Sequence, residues 1–122
     1  MNKPKTIFCD IDGTLCEYPY SSEMGNYEFD KKNMKPLPGT IKKLWEWDKA
    51  GHMIILTTGR KEGMRRITEQ QLENAGIIYD KLIMGIGGGV RVLINDLKPD
   101  RGGHTAIAIN LKRDVGVKDV KI

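Results

Sequence analysis

The sequence predicts an α/β domain with a central, mostly parallel sheet of about five strands between two layers of helices. Three observations lead there. Short apolar runs alternate with segments of helical period. Those runs are continuously apolar, as strands buried on both faces are. Asp, Thr and Asn collect where the runs end, the edge at which open parallel sheets bind ligands. At 122 residues, the chain is the size of one domain. Residues 1–122 read as that single domain, with no repeat or low-complexity segment.

Thr6 to Ile11 is the first buried strand, bounded by Lys and Pro before and by Gly13 after. Residues 17–38 carry Tyr18, Pro19, Tyr20, Gly25, Pro36 and Pro38 without a sustained period. They predict a long flap, and loops of that length are commonly functional. Thr40 is the expected N-cap of a helix running to about Ala50, with Ile41, Leu44 and Trp45 as its apolar stripe and Gly51 as its stop. On this reading Trp45 is core, and Trp47 points elsewhere. Met53 to Thr57 is the second strand. A helix follows from about Lys61 to Asn74, stopped by Gly76. A third short strand falls within 77–84. Gly85 to Gly89 is a turn, Val90 to Ile94 the fourth strand, and Ala106 to Leu111 the fifth.

Composition narrows the function. Hydrophobic residues at 39% and charged residues at 30% place the chain among globular proteins rather than disordered ones. No apolar stretch approaches the ~18–20 residues of a membrane span. The start MNKPKTIFCDID has no secretory h-region, so a cytoplasmic protein is expected. Net charge is 20 − 16 = +4, which suits an anionic substrate without demanding nucleic acid. Two cysteines, Cys9 and Cys16, are too few for a disulfide framework or a Cys-rich zinc site, and reduced thiols are expected.

Three polar clusters meet on one predicted edge: Asp10-Ile11-Asp12-Gly13-Thr14-Leu15, Thr57-Thr58-Gly59-Arg60, and Asn95-Asp96 with Asp100 beyond. Asp10 and Asp12 are two apart, so an extended backbone points both the same way. Two adjacent carboxylates call for a compensating cation, and Mg²⁺ prefers such hard oxygens. One could then attack phosphorus while the other moves a proton.

The run Asp10 to Leu15 resembles the first motif of the haloacid dehalogenase (HAD) superfamily, DxDGT[LV]. Leu56 to Arg60 resembles the second motif, with Thr58 the better match and Thr57 the alternate. Asn95-Asp96-Leu97-Lys98-Pro99-Asp100 resembles the fourth, of GDxxxD form, with Asn95 in the Gly place. The resemblance implies a HAD-like Rossmannoid fold and phosphoryl transfer through an aspartyl-phosphate. Asp10 would be the nucleophile. Asp12 would protonate the leaving group and then activate water, and Thr58 would hold the transferring phosphoryl. Gly13, Thr14, Gly59, Arg60 and Arg91 would line the substrate. Mg²⁺ would be held by Asp10, the Asp12 carbonyl and Asp96, with Asp100 a further ligand or a support. The third motif departs from the family. Small members carry Gly-Lys-Pro where this chain has Gly85-Ile86-Gly87. Lys81 is the favoured replacement cation, with Arg91 and Lys98 as the others.

The same residues also fit simpler roles. Thr58-Gly59-Arg60 also makes a helix-entry turn, and Asp96 and Asp100 suit turns beside Pro99. Lys61, Arg65 and Arg66 are equally a solvated basic face, and His52 and His104 lack zinc spacing. Gly85-x-Gly87 leads into an apolar run rather than a helix, so it is no dinucleotide fingerprint. With no cap domain and a flap of about twenty residues, the resemblance implies a small Mg²⁺-dependent phosphatase. The closing pattern from Ile94-Asn95-Asp96 to Gly116 also resembles small proteins associated with capsule or sugar-nucleotide biosynthesis, which implies a phosphorylated sugar or related metabolite as substrate. A second copy is a candidate lid. One rival is a polynucleotide or nucleotide end phosphatase, disfavoured because the sequence shows no aromatic-rich groove. The other is a non-catalytic phosphate- or metal-binding module.

Overall fold

The computed structural model describes residues 3–19 and 33–122. Three strands form a parallel sheet in the order β1-β2-β3: β1 is Thr6–Asp10, β2 Met53–Thr57 and β3 Lys81–Ile83. The register sets Asp10 beside Thr57, and Thr57 beside Ile83. All three strands therefore end on one level. Helix α1 (Thr40–Lys49) joins β1 to β2, and α2 (Arg65–Ala75), entered through a 3₁₀ turn at Glu62–Met64, joins β2 to β3. Ile11, Leu15, Leu44, Ile54, Leu56 and Leu72 are wholly buried in one core.

α1 departs from its expected capping. Gly39, in the left-handed region at φ 85°, precedes the helix, and Thr40 is its first residue. The Thr40 hydroxyl donates to the Leu15 carbonyl at 2.7 Å instead of capping its own helix. The two tryptophans are reversed as well: Trp47 is buried and Trp45 is 57% exposed. The inward stripe is Thr40, Leu44 and Trp47, spaced four and three, and Trp45 lies about 100° off it. α2 stops at Gly76, φ 77°, as its sequence predicts.

The expected five strands are three among the described residues. Residues 90–94 and 106–111 lie outside the sheet. They form the two limbs of an arm closed at its tip by Lys98–Gly103 backbone bonds of 2.8 and 3.0 Å. Val90 and Ile94 are 94% and 85% exposed. β1 pairs only with β2, so its other edge is unpaired among the described residues. The second limb returns to the body at its end, where Leu111 and then Val117, Val120 and Ile122 pack on or in the core.

The flap enters through antiparallel contacts of residues 15–17 with 35–37. Its remainder, 20–32, lies outside the described residues. Cys9 and Cys16 are free and buried, and burial pushes both thiols up to about 12. No helix is long and apolar enough to cross a membrane among the described residues.

Candidate active site

Asp10 ends β1, and the chain turns at once. The Ile11 carbonyl accepts from the amides of Thr14, Leu15 and Cys16, and Gly13 takes φ 86°. That tight coil lifts Asp10, Asp12 and Thr14 onto the sheet's C-terminal edge. A side chain at Gly13 would be strained in φ and would crowd Arg113 Cγ at 3.3 Å. The Thr14 hydroxyl donates to Asp10 Oδ2 at 3.3 Å. The Asp10 carboxyl is raised above its ordinary range. Desolvation by surrounding protein dominates, and the Asp12 charge adds to it. The Ile11 amide, the Thr14 hydroxyl and the Arg91 guanidinium pull the other way.

Asp12 is held by Arg60. Nε donates to Oδ2 at 2.9 Å and Nη2 to Oδ1 at 2.8 Å, a bidentate pair with the Arg60 side chain only 2% exposed. Arg60 Nη1 also donates to Thr68 Oγ1 at 3.1 Å and Gln71 Oε1 at 2.7 Å. Thr68 and Gln71 face inward from α2 for this reason. They read as surface polar residues in the sequence, and only their three-residue spacing on one helix face hints otherwise.

Thr58 is buried beside the carboxylates' edge, its hydroxyl accepting from the Arg60 amide at 3.1 Å. The 85–86 segment is tied to the same loop. The Gly85 amide donates to Arg60 O at 2.7 Å, and the Ile86 amide to Thr58 O at 3.1 Å. Gly59 suits the close approach there, because a Cβ would meet Ile86 O at 3.2 Å and press the two segments slightly apart. Ile86 thus lies beside the second motif. Lys81 opens β3 and is exposed, level with Phe8, two residues below Asp10. Arg113 and Asp114 carry no motif that would mark them from sequence. Arg113 stacks its guanidinium 3.6 Å from the Tyr18 ring centre. Asp114 accepts from the Tyr18 amide and donates its own amide to Gly13 O, both at 2.8 Å.

Asp96 is elsewhere, on the exposed arm, paired with Lys98 Nζ at 2.7 Å. Asp100 lies in the 3₁₀ turn Pro99–Arg101 at the arm's tip. Among the described residues no three His, Cys, Asp or Glu side chains converge. Asp10 and the Asp12 carbonyl are suitable hard ligands, but the third expected ligand is not with them. Among the described residues, two of the three expected Mg²⁺ ligands lie together in one chain.

A parallel α/β sheet with an Asp-x-Asp coil beyond its first strand defines the class, a Rossmann-like domain with acidic chemistry at its strand ends. Within that class the chain belongs to the HAD superfamily: the family model for subfamily IIIB (acid phosphatase) matches residues 1–88. No curated protein matches. Among solved structures, a Vibrio cholerae protein is similar in fold, at 22% identity and TM-score 0.50, over 75% of this chain and 80% of that one. A chain of the Pnkp1/Rnl/Hen1 complex is 30% identical, with TM-score 0.54, over 66% of this chain and 27% of that one. A second structure, the Pnkp1/Rnl/Hen1 RNA repair complex, gives 28% identity and TM-score 0.53, over 72% of this chain and 28% of that one. This chain therefore spans just over a quarter of the length of those two chains.

Proposed function

We propose that this protein hydrolyses a phosphate monoester, with Asp10 as nucleophile. The observation that carries the reading is the coil after β1. It sets Asp10 on the sheet edge while Arg60 fixes Asp12 beside it. Asp10 Oδ attacks phosphorus, the P–O bond to the leaving group breaks, and the departing oxygen takes up a proton. Water then attacks the acyl phosphate, giving up its proton as inorganic phosphate leaves and Asp10 is restored. Arg60 uses one acceptor direction of each Asp12 oxygen. The remaining lone pairs suit Asp12 to accept the proton of the attacking water.

Thr14 and the Thr58–Gly59 loop frame the space beside Asp10 as phosphate-contacting groups. Lys81, Arg91 and Lys98 are the candidates for the charge that must flank the phosphoryl oxygens. Mg²⁺ is the expected cofactor of a HAD phosphatase. Asp10 and the Asp12 carbonyl are the part of its site gathered in one chain.

A phosphorylated sugar or related metabolite is the proposed substrate. A polynucleotide end is the second reading, supported by the likeness to the RNA-repair chains and by the net charge of +4. The test is phosphate release from a panel of sugar phosphates, nucleotides and 3′- or 5′-phosphorylated oligonucleotides. Turnover of the sugar phosphates and none by Asp10→Asn is the expected result. Selective turnover of oligonucleotides, weakening steeply with salt, would replace the substrate reading. An inert wild type would remove the catalytic one.

A further inference from the structure

The geometry points to an exchanged dimer in which each chain's arm completes the other chain's site, an inference that rests on the phosphatase reading for its catalytic consequence. Two features that are unpartnered among the described residues complement each other. The edge of β1 away from β2 has no strand beside it among those residues, and Phe8 is 55% exposed. The arm carries a strand-forming limb, Val90-Arg91-Val92-Leu93-Ile94, whose apolar side chains stand in solvent. Open strand edges and exposed strand-formers pair readily.

The limb cannot lie parallel to β1 within its own chain. Gly85 and Ile86 are pinned at the sheet's C-terminal edge by Arg60 O and Thr58 O. From Ile86 to Val90 four steps reach at most ~14 Å at ~3.3–3.6 Å each. Descending the five residues of β1 already takes about 16 Å, before the ~14 Å across three strand spacings. Parallel crossovers accordingly need about a dozen residues or more. Consistent with this, the Arg91 charge acts on Asp10, so the limb sets out from the top of its own sheet. Paired antiparallel to its own β1, it would carry Asp96 away from Asp10.

A second copy removes the obstacle. Two bodies side by side and antiparallel place the top of one sheet beside the bottom of the other. Each limb then enters its partner's β1 edge from below and runs parallel to it. Gly87, Gly88 and Gly89 have open space where a Cβ would sit and form the hinge. The arrangement is a symmetric exchange of one element, closed by a two-fold axis. Phe8 stands two residues before Asp10, and Ile94 two before Asp96. In register, Asp96 reaches the level of the partner's Asp10 and supplies the missing ligand. Lys98, 2.7 Å from Asp96, arrives with it as the positive charge that Ile86 does not provide, and Arg91 withdraws to the far end of the strand.

The test mixes co-expressed, differently tagged chains carrying Phe8→Cys or Ile94→Cys and adds a short bifunctional thiol cross-linker. Cys9 and Cys16 are buried and poorly ionised, so the introduced thiols react first. We expect a dimer by sedimentation and a covalent product joining the two tags. A monomer by sedimentation, or a double variant that links only within one chain, overturns the exchange. Co-expressed Asp10→Asn and Asp96→Asn chains give the independent readout. Half of the randomly formed dimers are mixed and each has one intact site, so about one quarter of wild-type activity returns. If a cross-linked dimer forms while wild type is inert, the exchange stands and the phosphatase reading fails. If wild type is active and the mixed pair stays dead, the delivery of Asp96 to the partner's site is wrong.

Discussion

Replacing Arg60 with alanine tests the centre of the site through stability. The guanidinium is buried, donates twice to Asp12, and also holds Thr68 and Gln71. Truncating it leaves a mostly buried carboxylate without its counter-charge and two acceptors on α2 without their donor. Breaking a buried pair from one side costs about 3–5 kcal/mol, a large share of the ~5–15 kcal/mol that holds a domain together. With a urea slope of about 1.5 kcal/mol/M, the unfolding midpoint should fall by roughly 2–3 M. Buried Trp47 supplies the fluorescence signal. Arg60→Ala combined with Asp12→Ala should cost less than the two single changes added, since the second removes the charge the first stranded. A single variant within about 1 kcal/mol of wild type at unchanged slope would show that the pair contributes little in solution, and the argument for a fixed Asp12 would fall with it.

Further outcomes follow from the same geometry. Asp10→Asn should abolish turnover and keep the fold. Because the folded protein raises the Asp10 carboxyl, ionising it opposes folding, so the variant should match or exceed wild-type Tm at pH 7. That advantage should vanish below the ordinary carboxylate range, where both forms are neutral. Excess chelator should remove activity and Mg²⁺ restore it; full activity in chelator would refute the metal reading. Lys98→Ala should lower kcat by on the order of a hundredfold, the scale of one contact to developing charge, with Lys81→Ala close to wild type. The reverse order in steady-state kinetics would return the role to Lys81.

Much of the scaffold was legible because local signals agreed with the tertiary outcome. The runs at Thr6 and Met53 are apolar and flanked by breakers, and Gly76 ends α2 as its position demands. Thr40 misled because its hydroxyl found a tertiary acceptor in Leu15 that no local pattern reveals. Trp45 and Trp47 were exchanged because two stripes fit α1, and only its packing partners choose between them. The expected fourth and fifth strands, 90–94 and 106–111, rest on apolar runs alone. Periodicity identifies a strand-former but not its neighbour, and the short link from Ile86 to Val90 carried the missing information. Asp10 ends β1 and Asp12 sits in the coil just beyond it, while Thr58 follows the end of the neighbouring strand β2. Thr68 and Gln71 were illegible because buried polar residues are recognised by their partner, Arg60.

The clasp between Asp114 and the nucleophile coil has a consequence in time. Tyr18 and Asp114 are 96 residues apart in sequence, yet Asp114 closes the loop that carries Gly13. A ribosome adding ~5–20 residues per second takes about 5–20 s to cover that separation. Throughout that interval the emerged coil lacks the Asp114 bonds to the Gly13 carbonyl and the Tyr18 amide. The chain therefore finishes its reactive loop last, although it makes that loop almost first.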